Sequence, residues 1–320
     1  MMKILLIASV IAALLIVLIC VIVTVAVKQS IVRPKDVTVD YDKLTEKYKL
    51  RYKVRLRNNQ HLYDLNPEDL SIVDPMGNTL RAWFVPKPQS KTFVICIHGY
   101  KCNGPDECSH LLPFYNETLG FNYLLPDHAA HGRSEGKYIG FGSYESDNLL
   151  LWVDYLIKRF GEDIEIVLHG ISMGAVTAML ANQSNPPEQV KAIIEDCGFT
   201  SAFEIIDLVM SKKVGFRCPH VTKSIFFVAK HFLGYDMSRS DCIARMPDSK
   251  NPILFIHGTE DKFVPFSMGE RLYEACNSVE KDKLFVEGAA HAFCYYDAKD
   301  EYDAKVTEFL GKYLSSTIKK

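Results

Sequence analysis

An α/β protein with a mostly parallel central sheet and helices on both faces is the fold class this sequence predicts, on three observations. Short apolar, β-rich runs recur at Thr92–Ile97, Ile164–His169, Val190–Glu195, residues 252–257 and Lys283–Val286, and each reads as a buried strand. Helix-prone segments such as Ala175–Asn182 and Met268–Ala275 lie between them, the rhythm of parallel strands joined by crossovers. Polar residues able to do chemistry sit in the small-residue loops just past these runs, where open sheets of this class carry their functional groups.

In chain order, the first element is the unbroken apolar or small run from Ile4 to Val27. As a helix it would measure roughly 36 Å, enough to cross a hydrocarbon core. A cleaved leader would have a shorter apolar stretch and a good small-x-small site, and Thr24-Val25-Ala26 is a poor one. The expectation is therefore a single-pass membrane anchor over residues 1–27. Lys3 flanks one end, and Lys28, Arg33, Lys35 and Lys43 flank the other. Positive-charge counting would put the remainder in the cytoplasm, but the side stays open. Residues 28–49 are polar and mostly non-periodic, and read as a juxtamembrane linker or short helix. Residues 50–320 are ample for one domain with a single core. The chain holds 37 basic and 39 acidic residues, a balance that makes a nucleic-acid footprint unexpected.

The strand at Thr92–Ile97 opens into His98-Gly99-Tyr100. Gly99 lets the backbone turn so that the Tyr100 N–H faces the site, and His98 reads as a buttress of the loop. The run at Ile164–His169 leads to Gly170-Ile171-Ser172-Met173-Gly174 and then to a helix. A serine between two glycines at a strand-to-helix junction is held on a tight turn with its hydroxyl exposed. The helix start behind it, with the free Met173 N–H, faces any developing negative charge.

A serine hydroxyl needs a base, and the base needs a group to orient it. In this architecture the chain order is Ser, acid, His. Asp261 follows the strand at 252–257, in His257-Gly258-Thr259-Glu260-Asp261. His291 follows Lys283–Val286, in Gly288-Ala289-Ala290-His291-Ala292. Asp196, just past Val190–Glu195, is the rival acid, because some folds of this kind carry the acid one strand earlier. Asp261 has the stronger loop context. Asp196 sits at the entrance of an insertion, where a carboxylate can instead tie that insertion to the core.

That insertion, at about 201–250, is oversized for a crossover. Two apolar-rich helical stretches, Ser201–Met210 and Ile225–Leu233, read as a small helical cap over Ser172. Its aromatics (Phe199, Phe203, Phe226, Phe227, Phe232 and Tyr235) divide between a substrate wall and packing onto the core.

These motifs resemble those of the α/β-hydrolase superfamily, and within it the serine-aminopeptidase-like group that includes esterases and monoacylglycerol-lipase-like enzymes. The matching residues are His98-Gly99-Tyr100, the loop Asp127–Gly136, Gly170–Gly174, the segment 257–261 and the segment 288–292, which together span about residues 90–312. One departure is Ala129-Ala130, where the group usually has Arg-Gly. The resemblance implies an α/β-hydrolase fold and a hydrolase that needs no cofactor.

Cys102, Cys108 and His110 are the one cluster with ligand chemistry, but their spacing fits no usual zinc pattern, so no metal is expected. Asn116-Glu117-Thr118 and Asn182-Gln183-Ser184 match the glycosylation sequon. The reading is a membrane-anchored serine hydrolase that cleaves a small carboxylic ester through an acyl-enzyme. Ser172 is the nucleophile, His291 the base, Asp261 the orienting acid, and the Tyr100 and Met173 N–H groups are the oxyanion donors. Two alternatives are an amide or peptide hydrolase with the same triad, and a non-catalytic binding protein of the same fold.

Overall fold

The computed structural model describes residues 2–34, 41–217, 219–277 and 279–315, with the side chains of 2, 4, 5, 8, 12, 15 and 16 excepted. Eight strands form one sheet: β1 (Glu68–Val73), β2 (Thr79–Val85), β3 (Thr92–Ile97), β4 (Asn122–Pro126), β5 (Glu165–Ile171), β6 (Val190–Asp196), β7 (Ile253–Gly258) and β8 (Lys281–Val286). Their spatial order is β1-β2-β4-β3-β5-β6-β7-β8. The β1/β2 and β2/β4 pairs are antiparallel, and every other pair is parallel. This is the α/β-hydrolase fold.

The helices are α1 (Met2–Ser30), α2 (Glu46–Asp64), α3 (Gly104–Cys108), α4 (Glu145–Phe160), α5 (Met173–Asn182), α6 (Ala202–Val214), α7 (Pro219–Phe232), α8 (Cys242–Arg245), α9 (Phe266–Ala275), α10 (Cys294–Asp297) and α11 (Lys299–Leu310). The central strands are apolar at successive positions because both faces of the sheet are covered. On β3, Phe93, Ile95 and Ile97 face a core shared with α4, α5 and the cap, whereas Val94 and Cys96 face one shared with α11.

The cap begins with an N-cap: Ser201 Oγ accepts from the Glu204 N–H at 3.2 Å and starts α6. Gly215, at φ 83°, ends it in the left-handed conformation that glycine adopts without steric cost. α7 then folds back on α6 through Ile225 and Ala229, both fully buried.

The last turns of α1 are part of the same body. Ala26, Val27 and Ile31 are buried, and α1 packs on α7. The Ile139 N–H donates to the Ile31 carbonyl at 2.7 Å, and the Arg33 guanidinium donates to the Ser134 and Gly132 carbonyls. Of the segment at 28–49, residues 35–40 lie outside the described residues, while Tyr41–Lys43 and the start of α2 are helical. Among the described residues no helix is long and apolar enough to cross a membrane.

Both sequons are sterically closed. The Asn116 and Asn182 side chains are buried, and each donates to a backbone carbonyl, of Phe121 and Asn251 respectively. Among the described residues the ligand atoms of Cys102, Cys108 and His110 do not converge, and the His110 ring packs at a tilt on Tyr295 and Tyr296; all eight described cysteines are free thiols.

Candidate active site

β5 runs buried through the sheet and delivers Ser172 at the turn into α5. Ser172 has φ 57° and ψ −116°, a sparsely populated conformation for a residue with a side chain, at a cost of about 1–3 kcal/mol. Its surroundings hold it there. A Cβ on Gly170 would run into the Gly174 carbonyl, and one on Gly174 into the Ile97 carbonyl of β3. Glycine at both positions is what allows strand, turn and helix to meet this closely.

The structure brings Ser172, His291 and Asp261 together. His291 Nε2 lies 3.0 Å from Ser172 Oγ, and His291 Nδ1 lies 2.6 Å from Asp261 Oδ2. With the proton on Nδ1 donated to the carboxylate, Nε2 is free to accept from the serine hydroxyl. The other Asp261 oxygen accepts the Phe263 and Val264 N–H groups at 2.9 Å each, which fixes the carboxylate plane. Burial alone would raise this carboxyl, but hydrogen bonds from His257 and His291 outweigh it and bring the pKa down to about 2. His257 Nε2 donates to the Val264 carbonyl at 3.0 Å and stands 3.4 Å from Asp261 Oδ2, so it braces the loop from behind.

Asp196 is placed otherwise. It accepts from the Tyr302 hydroxyl at 2.9 Å, and Tyr302 in turn accepts from His169 Nε2 at 2.9 Å. His169 Nδ1 accepts from Tyr115 at 2.7 Å, so a buried polar chain ties β5, β6 and α11 together beneath the site. Burial pushes the Asp196 carboxyl up to about 6, and that of neighbouring Glu195 up to about 7. Sequence reasoning did not reveal this chain, because its members are isolated polar residues with no shared motif.

Gly99 lies against the serine: a Cβ there would stand 3.3 Å from Ser172 Cβ. Met173 is the first residue of α5, so its N–H has no acceptor within the helix. Among the described residues the Tyr100 N–H likewise has no hydrogen-bond partner. His98 is buried, with Nδ1 2.8 Å from the Gly99 carbonyl and Nε2 accepting from the His128 N–H at 3.0 Å, which braces the loop from within. Ala130, at the departure from the family pattern, holds φ 63°, a conformation that favours glycine. It is a local strain next to the site, not a change in it. A second unforeseen group is Glu107, whose carboxylate faces Gly99 from behind. Burial would raise its pKa, and the Arg51 guanidinium at 2.7 Å holds it below the usual range.

A cavity of about 240 Å³ opens above Ser172. Its apolar wall is Phe141, Phe199, Ile205, Ile206, Val209 and Met210, and its mouth carries Gln29 and Ser30 of α1 with Lys101 and Lys213. The Tyr100 hydroxyl donates to the Ser30 carbonyl at 2.7 Å and the Lys101 ammonium to the Gln29 carbonyl at 2.7 Å, which pins the end of α1 to the rim. Of the six cap aromatics, only Phe199 lines this space. Phe203 and Phe226 pack on each other, Tyr235 on Tyr138 and Tyr144, and Phe227 and Phe232 point outward. The rest of the wall is Phe141 with Ile205, Ile206, Val209 and Met210 of α6.

Ligand atoms of Cys197, Asp261 and His291 lie within 4.8 Å of one another. Asp261 and His291 are already engaged with each other, and burial drives the Cys197 thiol well above its usual pKa, which opposes the thiolate a metal needs.

Residues 138–317 match the prolyl oligopeptidase family. The chain is 32% identical over 246 residues to the uncharacterized protein YqkD of Bacillus subtilis, spanning 75% of this chain and 78% of that one. It is 28% identical over 220 residues to human α/β hydrolase domain-containing protein 17B, spanning 67% and 66%. Among solved structures, the esterase Pf2001 of Pyrococcus furiosus superposes with a TM-score of 0.64 at 22% identity, covering 89% of this chain and 99% of that one. Est1E of Butyrivibrio proteoclasticus, bound to ferulic acid, superposes with a TM-score of 0.57 at 19% identity, covering 76% and 98%.

Proposed function

The chain belongs to the prolyl oligopeptidase family, and from that premise we propose that it is a serine hydrolase of the α/β-hydrolase superfamily acting on a small carboxylic ester at a membrane. The observation that carries this reading is the continuous relay Ser172–His291–Asp261 at the floor of an apolar cavity. Ser172 attacks the carbonyl carbon while His291 Nε2 takes its proton. The imidazolium, stabilised by Asp261, returns that proton to the leaving alcohol, and water then releases the acid by the same route. The Met173 and Tyr100 N–H groups hold the oxyanion. At about 240 Å³ the cavity is below the common range for drug-sized ligands, which favours a short or compact acyl group.

Amide or peptide hydrolysis is the second reading, favoured by the family's name. A substrate amine would call for a carboxylate at the rim, and the residues lining the cavity offer Lys101 and Lys213 instead. The ester is preferred on that charge. Membrane attachment rests on α1, whose sequence from Ile4 to Val27 carries no charge and whose Leu14, Val17, Leu18, Val21 and Ile22 face outward. A binding protein of the same fold would be indifferent to loss of the serine hydroxyl.

The test is labelling by a fluorophosphonate, alongside esters of increasing chain length and aminoacyl amides. Wild type should label and prefer short esters. Ser172→Ala should remain folded and lose both labelling and, by about 10⁴-fold or more, turnover. Labelling of Ser172→Ala at the wild-type rate would place the nucleophile elsewhere, and faster cleavage of amides than esters would favour the second reading.

A further inference from the structure

From Leu208 to Tyr235 the chain has no acidic residue, yet it holds Lys212, Lys213, Arg217, Lys223 and Lys230. The same stretch of the cap carries the molecule's most exposed aromatics. Phe216 is 66%, Phe227 57% and Phe232 74% accessible. Along α7 the outward positions His220, Lys223, Phe227, Lys230 and His231 follow helical spacing, so cations and phenylalanine share one stripe. Phe227 and Phe232 lie with ring centroids 6.2 Å apart, which makes a patch of two exposed rings. Nothing in the folding of the domain requires these rings outside, since Ile225 and Ala229 already seat α7 on its core.

We propose that this face of the cap, the end of α6 and the outer side of α7, is a docking surface for an anionic lipid bilayer. The proposal rests on α1 lying in that bilayer, and is independent of the reaction at Ser172. Two observations choose the occupant. The first is continuity: α7 packs on α1, the helix whose Leu14, Val17, Leu18, Val21 and Ile22 are exposed. The second is charge. A surface of phenylalanine and five cations, bordered by Asp207 and Asp236 alone among its ion-pair partners, keeps a positive balance that suits a negatively charged headgroup layer, with the rings set at the acyl boundary. A second copy of the chain is a poor occupant, because it would bring two faces of net positive charge together. Arg217 and Lys230 are each paired with an acid, Asp207 and Asp236, while the ammonium of Lys213 stands at the mouth of the cavity above Ser172. Docking in this pose would hold the cavity mouth close to the headgroup layer, so an amphiphilic ester would reach Ser172 with little travel through water.

The experiment uses the full chain in vesicles of phosphatidylcholine with phosphatidylserine, made with or without lipids brominated near the headgroup or deep in the chain. Single tryptophans replace Phe227, Phe232, Leu18 and Phe160, with Trp83 and Trp152 as a constant background. Phe160 packs on Phe93 near the start of β3, the far end of the sheet, and is the control. Phe227→Trp and Phe232→Trp should both be quenched by shallow bromine, by about twofold, as expected for side chains at the acyl boundary. Quenching should fall in vesicles of phosphatidylcholine alone, and Phe160→Trp should not respond. If Leu18→Trp is quenched by deep bromine while both cap tryptophans are unaffected, the anchor stands and the docking surface is overturned. Cap tryptophans that are unquenched but shielded by cross-linking to a second copy overturn it in favour of a dimer. An unquenched Leu18→Trp overturns it together with the membrane reading. Fluorophosphonate labelling of Ser172 in the same samples reports on the reaction separately.

Discussion

Asp261 and Asp196 sit one strand apart and are both buried carboxylates, yet their environments divide their tasks. Asp261 is held ionised by two histidines and two backbone N–H groups, whereas Asp196 has a tyrosine hydroxyl for a partner and a pKa raised by burial. Asp261→Asn should therefore lower turnover by about 10⁴-fold through loss of the His291 tautomer, with substrate binding little changed. Asp196→Asn should cost less than about tenfold. Turnover at saturating ester decides between them, and the reverse ranking would transfer the orienting role to Asp196. Glu195 supplies a second prediction. Its carboxyl rises from 4.5 to about 7 in the folded protein, and one oxygen accepts the Gly198 N–H while the other has no partner. A raised folded-state pKa means that the folded protein keeps a proton the unfolded chain has released. Stability should then be fully present below about pH 4.5 and decline as pH rises toward 7, by on the order of 1–3 kcal/mol. Glu195→Gln should flatten that decline in thermal melts across the range. Parallel curves for the two proteins would refute the assignment. The relay was legible in the sequence because each member closes a local motif: serine between glycines, and acid and histidine in small-residue loops after apolar runs. The His169–Tyr302–Asp196 chain was not, because it exists only where three distant elements meet.

At the scale of elements, β3, β5, β6, β7 and β8 were readable to within a residue or two, whereas β4, buried along its whole length, was not read. Burial on both faces leaves continuous apolar runs that few other structures require. The antiparallel edge and α2 escaped notice for the opposite reason. β1 reads Glu68-Asp69-Leu70-Ser71-Ile72-Val73 with one buried residue, and α2 buries only Asn58 and Leu62. α2 is held instead by polar contacts such as Arg51 to Glu107 and Asn59 to Asp106, which leave no apolar period in the sequence. The cap was read from the length of the insertion, with its aromatics divided between a substrate wall and packing, and of the six only Phe199 lines the cavity. Much of the wall comes from α6, so Val209→Ala and Met210→Ala should shift the preferred ester toward longer acyl chains by about tenfold, the worth of a methylene or more in an apolar pocket. Phe203→Ala, which removes a ring packed on Phe226, should lower stability by about 2 kcal/mol and leave the chain-length profile alone. Rates over a series of p-nitrophenyl esters compare the two. A profile that moves with Phe203 and not with Met210 would return specificity to the aromatics.

Taken whole, the molecule joins a helix read as an anchor to the rim of its own cavity. The apolar stretch looked separable from the sequence, because hydropathy reports length and polarity and says nothing of where a helix docks. In the structure the described side chains of α1 from Leu14 to Ile22 are exposed. Ala26, Val27 and Ile31 are inside the core, and Gln29 and Ser30 border the cavity under bonds from Tyr100 and Lys101. Two truncations separate these roles. Deleting residues 2–22 removes the exposed apolar turns and leaves every one of those contacts, so hydrolysis of a short soluble ester should stay within about twofold of wild type. Deleting residues 2–30 removes the buried Val27 and the carbonyls that Tyr100 and Lys101 hold. Burial of one such side chain at about 1.5–3 kcal/mol, with two hydrogen bonds at about 0.5–1.5 kcal/mol each, predicts a loss of roughly 2.5–6 kcal/mol. Tyr100 would lose its tether in the same step, so labelling of Ser172 should slow in the longer deletion and not in the shorter one. Denaturant midpoints and labelling rates for the pair test this directly. Equal behaviour of the two truncations would mean that α1 is only a leash, with no part in shaping the site.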